Sequence, residues 1–270
     1  DRTRKLVIAL CSVAAVGCFL YFGVYSYFTN RTEDSYEKYA QIKEEARKNA
    51  LNPTDESSVQ QTVVIHYTET DTGTPEVLEE YKNLLNINKK LIGWIKIADT
   101  VIDYPVMQTS DNEYYLTHNL EQKYDKNGSI FMDKDCDVVK PSTNYILYGH
   151  HMLNGNMFGG LDKYKSIKYW EKHKYITFDT IYEHGTYEVM FAFQAEILNE
   201  MDVDFKYYQF IDAYSEAEFD SYMEEMTGMS LYDTGVTASF GDHLLTLSTC
   251  DESYQANGRF VVVAKRIESE

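Results

Sequence analysis

Beyond about residue 75 the apolar positions fall into short runs set apart by Asp, Asn and Gly. The runs are LIGWIKI (91–97), VIDYPVMQ (101–108), SIFMD (129–133), TNYILYG (143–149), KYITFDT (174–180), TYEVMFAFQAEIL (186–198), HLLTLSTC (243–250) and RFVVVAKRI (259–267). Each is rich in Ile, Val, Tyr and Phe, residues that suit a pleated, half-buried surface, and each is predicted as a strand. Two segments keep helical spacing instead. PEVLEEYKNLLNIN (75–88) places Val77, Leu78, Tyr81, Leu84 and Leu85 on one face behind Thr74 as a candidate N-cap, and SEAEFDSYMEEM (215–226) forms a helical insert before the last two strands. Many short strands with few helices predict a mainly β, α+β fold: a closed or partly closed β-barrel decorated with helices.

The first 75 residues follow a different pattern. Residues 6–28 carry no Asp, Glu, Lys or Arg. A helix of that length spans roughly 34 Å, enough for a bilayer core of about 30 Å. Arg2, Arg4 and Lys5 precede it, so residues 1–5 are expected in the cytoplasm and the remainder outside. Bulky Tyr and Phe stand where a cleavage site would carry small residues, which favours an uncleaved anchor over a signal peptide. The chain does not start with Met, and a few residues are expected ahead of Asp1. Residues 29–75 read as a charged juxtamembrane helix followed by a linker, with TVVIHY as a marginal strand. The catalytic or binding domain then occupies 76–270.

Composition narrows the function. Lys and Arg total 25 against 43 Asp and Glu, a net charge of −18, so a nucleic-acid partner is not expected. Of four Cys, Cys11 and Cys18 fall in the apolar segment, leaving Cys136 and Cys250. One disulfide between these two is conceivable, but there is no disulfide framework. Cys136, in the acidic turn-like DKDCD, reads as an incidental surface thiol. That stretch lacks the spacing of a calcium loop, and no Cys/His zinc spacing occurs, so neither a metal nor a cofactor is expected.

The chemistry concentrates in HLLTLSTCDESYQANGRFVVVAKRI (243–267). A short polar loop between two strand runs predicts an antiparallel hairpin, which brings Cys250 and Arg259 to the same sheet edge. Alternation puts Thr246, Ser248 and Cys250 on one face, opposite Leu245 and Leu247. Positive charge favours the thiolate, and a guanidinium can hold an oxyanion. A buried structural Cys beside a surface Arg would leave the same local sequence. A thiol nucleophile also needs a proton shuttle. Of seven His, His150 and His151 follow a strand end, whereas the other five read as solvated; spacing alone does not bring His150 to Cys250.

TLSTC (246–250) with the downstream Arg259 resembles the sortase TLxTC signature, and the GH of YGHHM resembles the strand-end His of that family. GWIKI, DYPVMQ, YYL and NGSIFMD are similar to class B sortases in particular. The resemblance runs from about residue 76 to 267. It implies a closed barrel of about eight strands and a cysteine transpeptidase that joins secreted proteins to the cell wall. Cys250 would then be the nucleophile, His150 the general acid and base, and Arg259 the group that holds the oxyanion or orients substrate. His150 is chosen because it directly follows Gly149, as in the family motif; His151 is the competitor. Ser248, Thr249 and Asp251 become candidate substrate-binding residues by position relative to the nucleophile, Asp251 reading equally well as a simple loop acid. Implied partners are secreted proteins with an NPxTx- or LPxTG-like C-terminal sorting signal, and a peptidoglycan amine as acceptor. Recognition is expected between about residues 198 and 229. A hydrolase or protease of the same fold, a pilin-polymerising enzyme and a tethered binding protein are the other readings.

Overall fold

The computed structural model describes residues 2–51, 75–198, 205–251 and 257–267. Residues 52–74, which include the marginal strand TVVIHY, His66 and Thr74, and the start of the recognition segment lie outside the described residues. The described chain forms two compact units, residues 1–41 and 42–270.

Helix α1 (Arg2–Leu51) runs through the apolar segment and the charged stretch that follows. Within its part Arg2–Val24 an 18-residue stretch reaches a mean hydropathy of 2.3, and this part is long and apolar enough to cross a membrane. From Ile42 onward the helix belongs to the second unit. There the Lys43 ammonium sits 4.6 Å from the centroid of the Trp94 ring and 5.7 Å from that of Tyr81. Burial pulls its pKa down, while Asp179 and Asp103 oppose the shift. Residues 42–51 are thus part of the folded unit rather than a stalk free of it.

The helix predicted behind Thr74 starts later. Helix α2 (Glu79–Ile87) has Leu78 at its N-cap with no side-chain bond, and Glu79 and Glu80 in its first turn. Acidic residues at the N-terminus favour the dipole and stand in for the cap.

All eight predicted strands form: β1 (Leu91–Lys96), β2 (Asp103–Met107), β3 (Ile130–Met132), β4 (Asn144–Tyr148), β5 (Tyr175–Thr180), β6 (Thr186–Glu196), β7 (Leu244–Cys250) and β8 (Gly258–Ile267). They close into a barrel in the order β1-β2-β3-β4-β7-β8-β6-β5. Two neighbouring pairs, β2–β3 and β4–β7, are parallel; the others are antiparallel. Closure leaves no exposed edge in the ring. Trp94, Tyr104, Tyr145, Leu147, Phe178, Phe193 and Val262 are among its buried side chains. Short helix α3 (Ile167–Trp170) follows β4 and carries the buried Trp170.

Helix α4 (Glu216–Met229) is the predicted insert between β6 and β7. Ser215 Oγ accepts from the Glu218 N–H (3.2 Å), and the Glu218 carboxylate accepts from the Tyr214 N–H (2.8 Å), so this helix start is capped from both sides. Its buried Phe219 and Met226 join a cluster with Phe210, Tyr207, Met190, Leu244, Val261 and Val263. Phe210 stacks on Tyr222 at 3.9 Å. The insert therefore packs on the strands that carry the hairpin.

Candidate active site

The β7–β8 hairpin forms in the predicted register, with Cys250 directly opposite Arg259. Residues 252–256 of its connecting loop lie outside the described residues. Both side chains are partly exposed, and Cys250 is a free thiol. The Arg259 guanidinium donates through Nη1 to the Gly258 carbonyl (2.9 Å) and the Asn257 carbonyl (3.4 Å), which leaves further N–H donors on the fork.

The parallel pair β4–β7 adds what local sequence did not. Asn144 to Tyr148 pair in order with Leu244 to Ser248. The Gly149 N–H continues the pairing onto the Ser248 carbonyl (3.2 Å). His150 and Cys250 therefore each stand two residues past the last rung of the same parallel ladder, at one end of the barrel. The His150 Nε2 meets the Leu116 carbonyl at 2.7 Å. A carbonyl only accepts, so Nε2 carries a proton there and Nδ1 is left to exchange one. His151 points to a different partner: its Nε2 is 3.6 Å from Asp162 Oδ2.

The three candidate substrate-binding residues flank Cys250 along the chain, and all three are buried. Thr249 is 2% exposed and its hydroxyl donates to the Gly149 carbonyl (2.8 Å), stitching β7 to the turn that carries His150. Ser248 is buried, its hydroxyl 2.7 Å from that of Tyr207. Asp251 is no solvated loop acid. It is 5% exposed, and its Oδ2 accepts from Lys165 Nζ (2.8 Å) and Gln194 Nε2 (2.9 Å). The predicted alternation holds one step further in: the Thr246 hydroxyl donates to Asn144 Oδ1 (2.9 Å), whose amide in turn donates to the Phe210 carbonyl (2.8 Å).

Tyr207 escaped the sequence reading. It lies in a 3-10 segment (Tyr207–Gln209), is 2% exposed, and feels the charges of both Arg259 and Cys250. Burial above all pushes its hydroxyl up to about 12, so it stays neutral. The only hint was the aromatic run FKYYQF in the segment expected to govern recognition.

The acidic surroundings of Cys136 suggested an exposed thiol, and the fold buries it instead. It is 5% exposed, not a surface thiol; its Sγ lies 3.4 Å from the Asn144 carbonyl and 3.5 Å from the Ile146 N–H. Burial pushes its thiol up to about 12. It sits at the amino end of β4 while Cys250 ends the parallel β7, and both are free thiols. Among the other His, His118, His173 and His243 are each within hydrogen-bond distance of a backbone carbonyl through Nδ1. His184 bridges the buried Glu80 and Asp179. Among the described residues, no three His, Cys, Asp or Glu side chains are grouped to hold a metal ion.

This arrangement belongs to a known lineage. Residues 95–267 match the family model for the sortase domain. Sortase B of Listeria monocytogenes is 38% identical over 196 residues, covering 71% of this chain and 76% of that protein. The solved Staphylococcus aureus sortase B–substrate complex superposes with a TM-score of 0.74 at 28% identity, over 90% of this chain and all of that one. A sortase B complexed with triglycine superposes at 0.71, also at 28% identity, over 90% of this chain and 100% of that one. The chain belongs to the sortase family of cysteine transpeptidases, as a member of class B.

Proposed function

We propose that this sortase is a membrane-anchored enzyme that cuts a C-terminal sorting signal after Thr and passes the acyl group to a peptidoglycan amine. What supports the reading is register: Cys250 is the antiparallel partner of Arg259, and His150 stands two residues past the same parallel rung as Cys250, at one barrel end.

The Cys250 thiolate attacks the Thr carbonyl carbon, and Arg259 stabilises the oxyanion that forms. Collapse breaks the C–N bond. His150 gives a proton to the leaving amine, and a thioester remains on Cys250. An incoming amine attacks that thioester, His150 takes its proton, and the thiolate departs as the new amide forms. The Leu116 carbonyl fixes the His150 ring, so that exchange runs through Nδ1. Ser248, Thr249 and Asp251 set the frame around the substrate, with Tyr207 behind Ser248. The substrate complex of the S. aureus relative supports a sorting-signal partner, and the triglycine complex supports an amine-bearing acceptor. The apolar helix Arg2–Val24, with Arg2, Arg4 and Lys5 at its start, supports an anchor with the barrel outside.

Intact-mass spectrometry tests this. The protein is mixed with NPxTx and LPxTG-like peptides, with and without an amine, beside Cys250→Ala. The expected result is a hydroxylamine-labile adduct of the N-terminal peptide fragment, absent in the variant, resolving to an amide product when amine is added. Release to water at the same rate with and without amine points to a hydrolase. An adduct that persists in Cys250→Ala refutes the assignment of the nucleophile.

A further inference from the structure

Behind the Cys250–Arg259 rung lies a buried charge that takes part in none of the bond-making or proton-transfer steps above. Asp251 follows Cys250 directly and is 5% exposed. Its N–H donates to the Gly258 carbonyl (2.8 Å), closing the hairpin one step beyond the rung. Its carboxylate accepts from Gln194 of β6 and from Lys165, the last residue of a 3-10 segment (Leu161–Lys165). The Lys165 ammonium also lies 5.4 Å from the centroid of the Phe260 ring, and Phe260 is the register partner of both Thr249 and Gln194. Three elements thus converge on the reverse side of the strand pair that presents the thiol.

A carboxylate one residue from a thiolate opposes its formation unless a cation cancels it. Among the described residues, the charged and titratable groups placed toward Cys250 are Arg259 on β8, His150 beyond β4, Tyr207 from the recognition segment and Asp251 on its own strand. Lys165 is the ammonium seated on that last group. We propose that Lys165 is a positioning residue for the reaction: its ammonium cancels the Asp251 carboxylate, leaving Arg259 and His150 to set the field at the thiol. This rests on the reading of Cys250 as nucleophile. Asp251 directly follows Cys250 along the strand line, so its charge is roughly 6–9 Å from the sulfur. At an effective dielectric between that of a protein surface and that of water, a charge at this range is worth on the order of one pH unit in the ionisation of a thiol.

The test is the pH dependence of iodoacetamide alkylation at Cys250 in the full chain in detergent, followed by peptide mass mapping. Lys165→Met should move the midpoint up by about one pH unit, and Asp251→Asn should move it down by a similar amount. Lys165→Met with Asp251→Asn together should return it close to the parent value, and Lys165→Arg should leave it there. A packing role for Lys165 would produce neither the opposite signs nor the recovery. The proposal is overturned if Asp251→Asn leaves the midpoint in place, or if the double variant stays where Lys165→Met lies. Should Lys165→Met not fold, Asp251→Asn decides alone. Shifts of the expected sign in a protein that forms no thioacyl adduct overturn the nucleophile reading and keep the electrostatic role. Thioacylation without shifts overturns only the role of Lys165.

Discussion

Thr249→Val removes one hydroxyl and almost no volume, and it isolates the stitch between β7 and the turn that carries His150. The hydroxyl is 2.8 Å from the Gly149 carbonyl, and Thr249 is only 2% exposed, so no water replaces the lost donor. A buried acceptor stripped of its partner costs about 1–2 kcal/mol. For a domain of this size that is a fall of roughly 2–8 °C in Tm. The kinetic consequence is larger. Gly149 is the residue before His150, and a proton shuttle displaced by a fraction of an ångström loses much of its effect. We expect acylation to slow about ten- to a hundredfold. Iodoacetamide alkylation of Cys250 should stay within about twofold of the parent, because Arg259 is untouched and a shift of a fraction of an ångström barely changes the field of His150 at the thiol. Calorimetry gives the first number, stopped-flow cleavage of a quenched sorting peptide the second. Thr249→Ser keeps the donor and should recover most of the rate. An unchanged acylation rate in a Thr249→Val protein that melts lower would refute the reasoning, since the stitch would then hold the fold and nothing else.

Gly149→Ala should be worse, because a Cβ there would come within 2.5 Å of Ile130 Cδ1 and 2.8 Å of Phe158 Cδ2. Chemical denaturation should show a loss of about 1–3 kcal/mol. Arg259→Lys should cut thioacylation at least tenfold, since an ammonium lacks the planar fork, whereas His151→Ala should keep most of it; a rate near that of the parent for Arg259→Lys refutes the oxyanion role. At the far end of β8, Arg266 donates both its terminal nitrogens to Glu183 (2.8 and 2.9 Å), and those bonds above all hold the Glu183 carboxyl below its ordinary value. A depressed carboxyl contributes stability that is whole above the ordinary value, near 4.5, and that is lost as pH falls through the depressed one. The small gap in stability between the parent and Glu183→Gln should therefore be flat from about pH 7 to 5 and close below about 4.5 in urea titrations.

The strands and the hairpin were legible because their information is local. Each strand is an Ile/Val/Tyr/Phe run with its own breakers, and an eight-residue polar loop leaves Cys250 and Arg259 little choice but to meet. His150 was not placed by local spacing, because its approach to Cys250 depends on a parallel pairing of segments 100 residues apart, and only the family resemblance supplied it. Burial was the other blind spot. Asp251 and Cys136 sit in stretches as polar as any surface turn, and only the tertiary partners, Lys165 and Gln194 for one and the start of β4 for the other, show that they are inside. Thr74 looked like a cap because it precedes a helical pattern, yet the helix begins at Glu79, where acidic residues already satisfy the dipole. Tyr207 and Lys165 carry no motif at all; what singles them out is the group each one touches.

The position of the β7–β8 hairpin in the ring has a consequence for how the enzyme matures. Every other strand precedes it in the chain, and without it β4 and β6 stand as the two open lips of an unfinished cylinder. The ladder from β4 to β7 is also among the longest-range pairings in the molecule, and contacts of that kind tend to form late. The strand pair that seals the wall is the one that carries the thiol and the guanidinium. Completion of the cylinder and assembly of the reacting groups are thus a single event. A chain that stalls before β7 lacks the thiol and the guanidinium altogether, and a chain that has them in place has already closed.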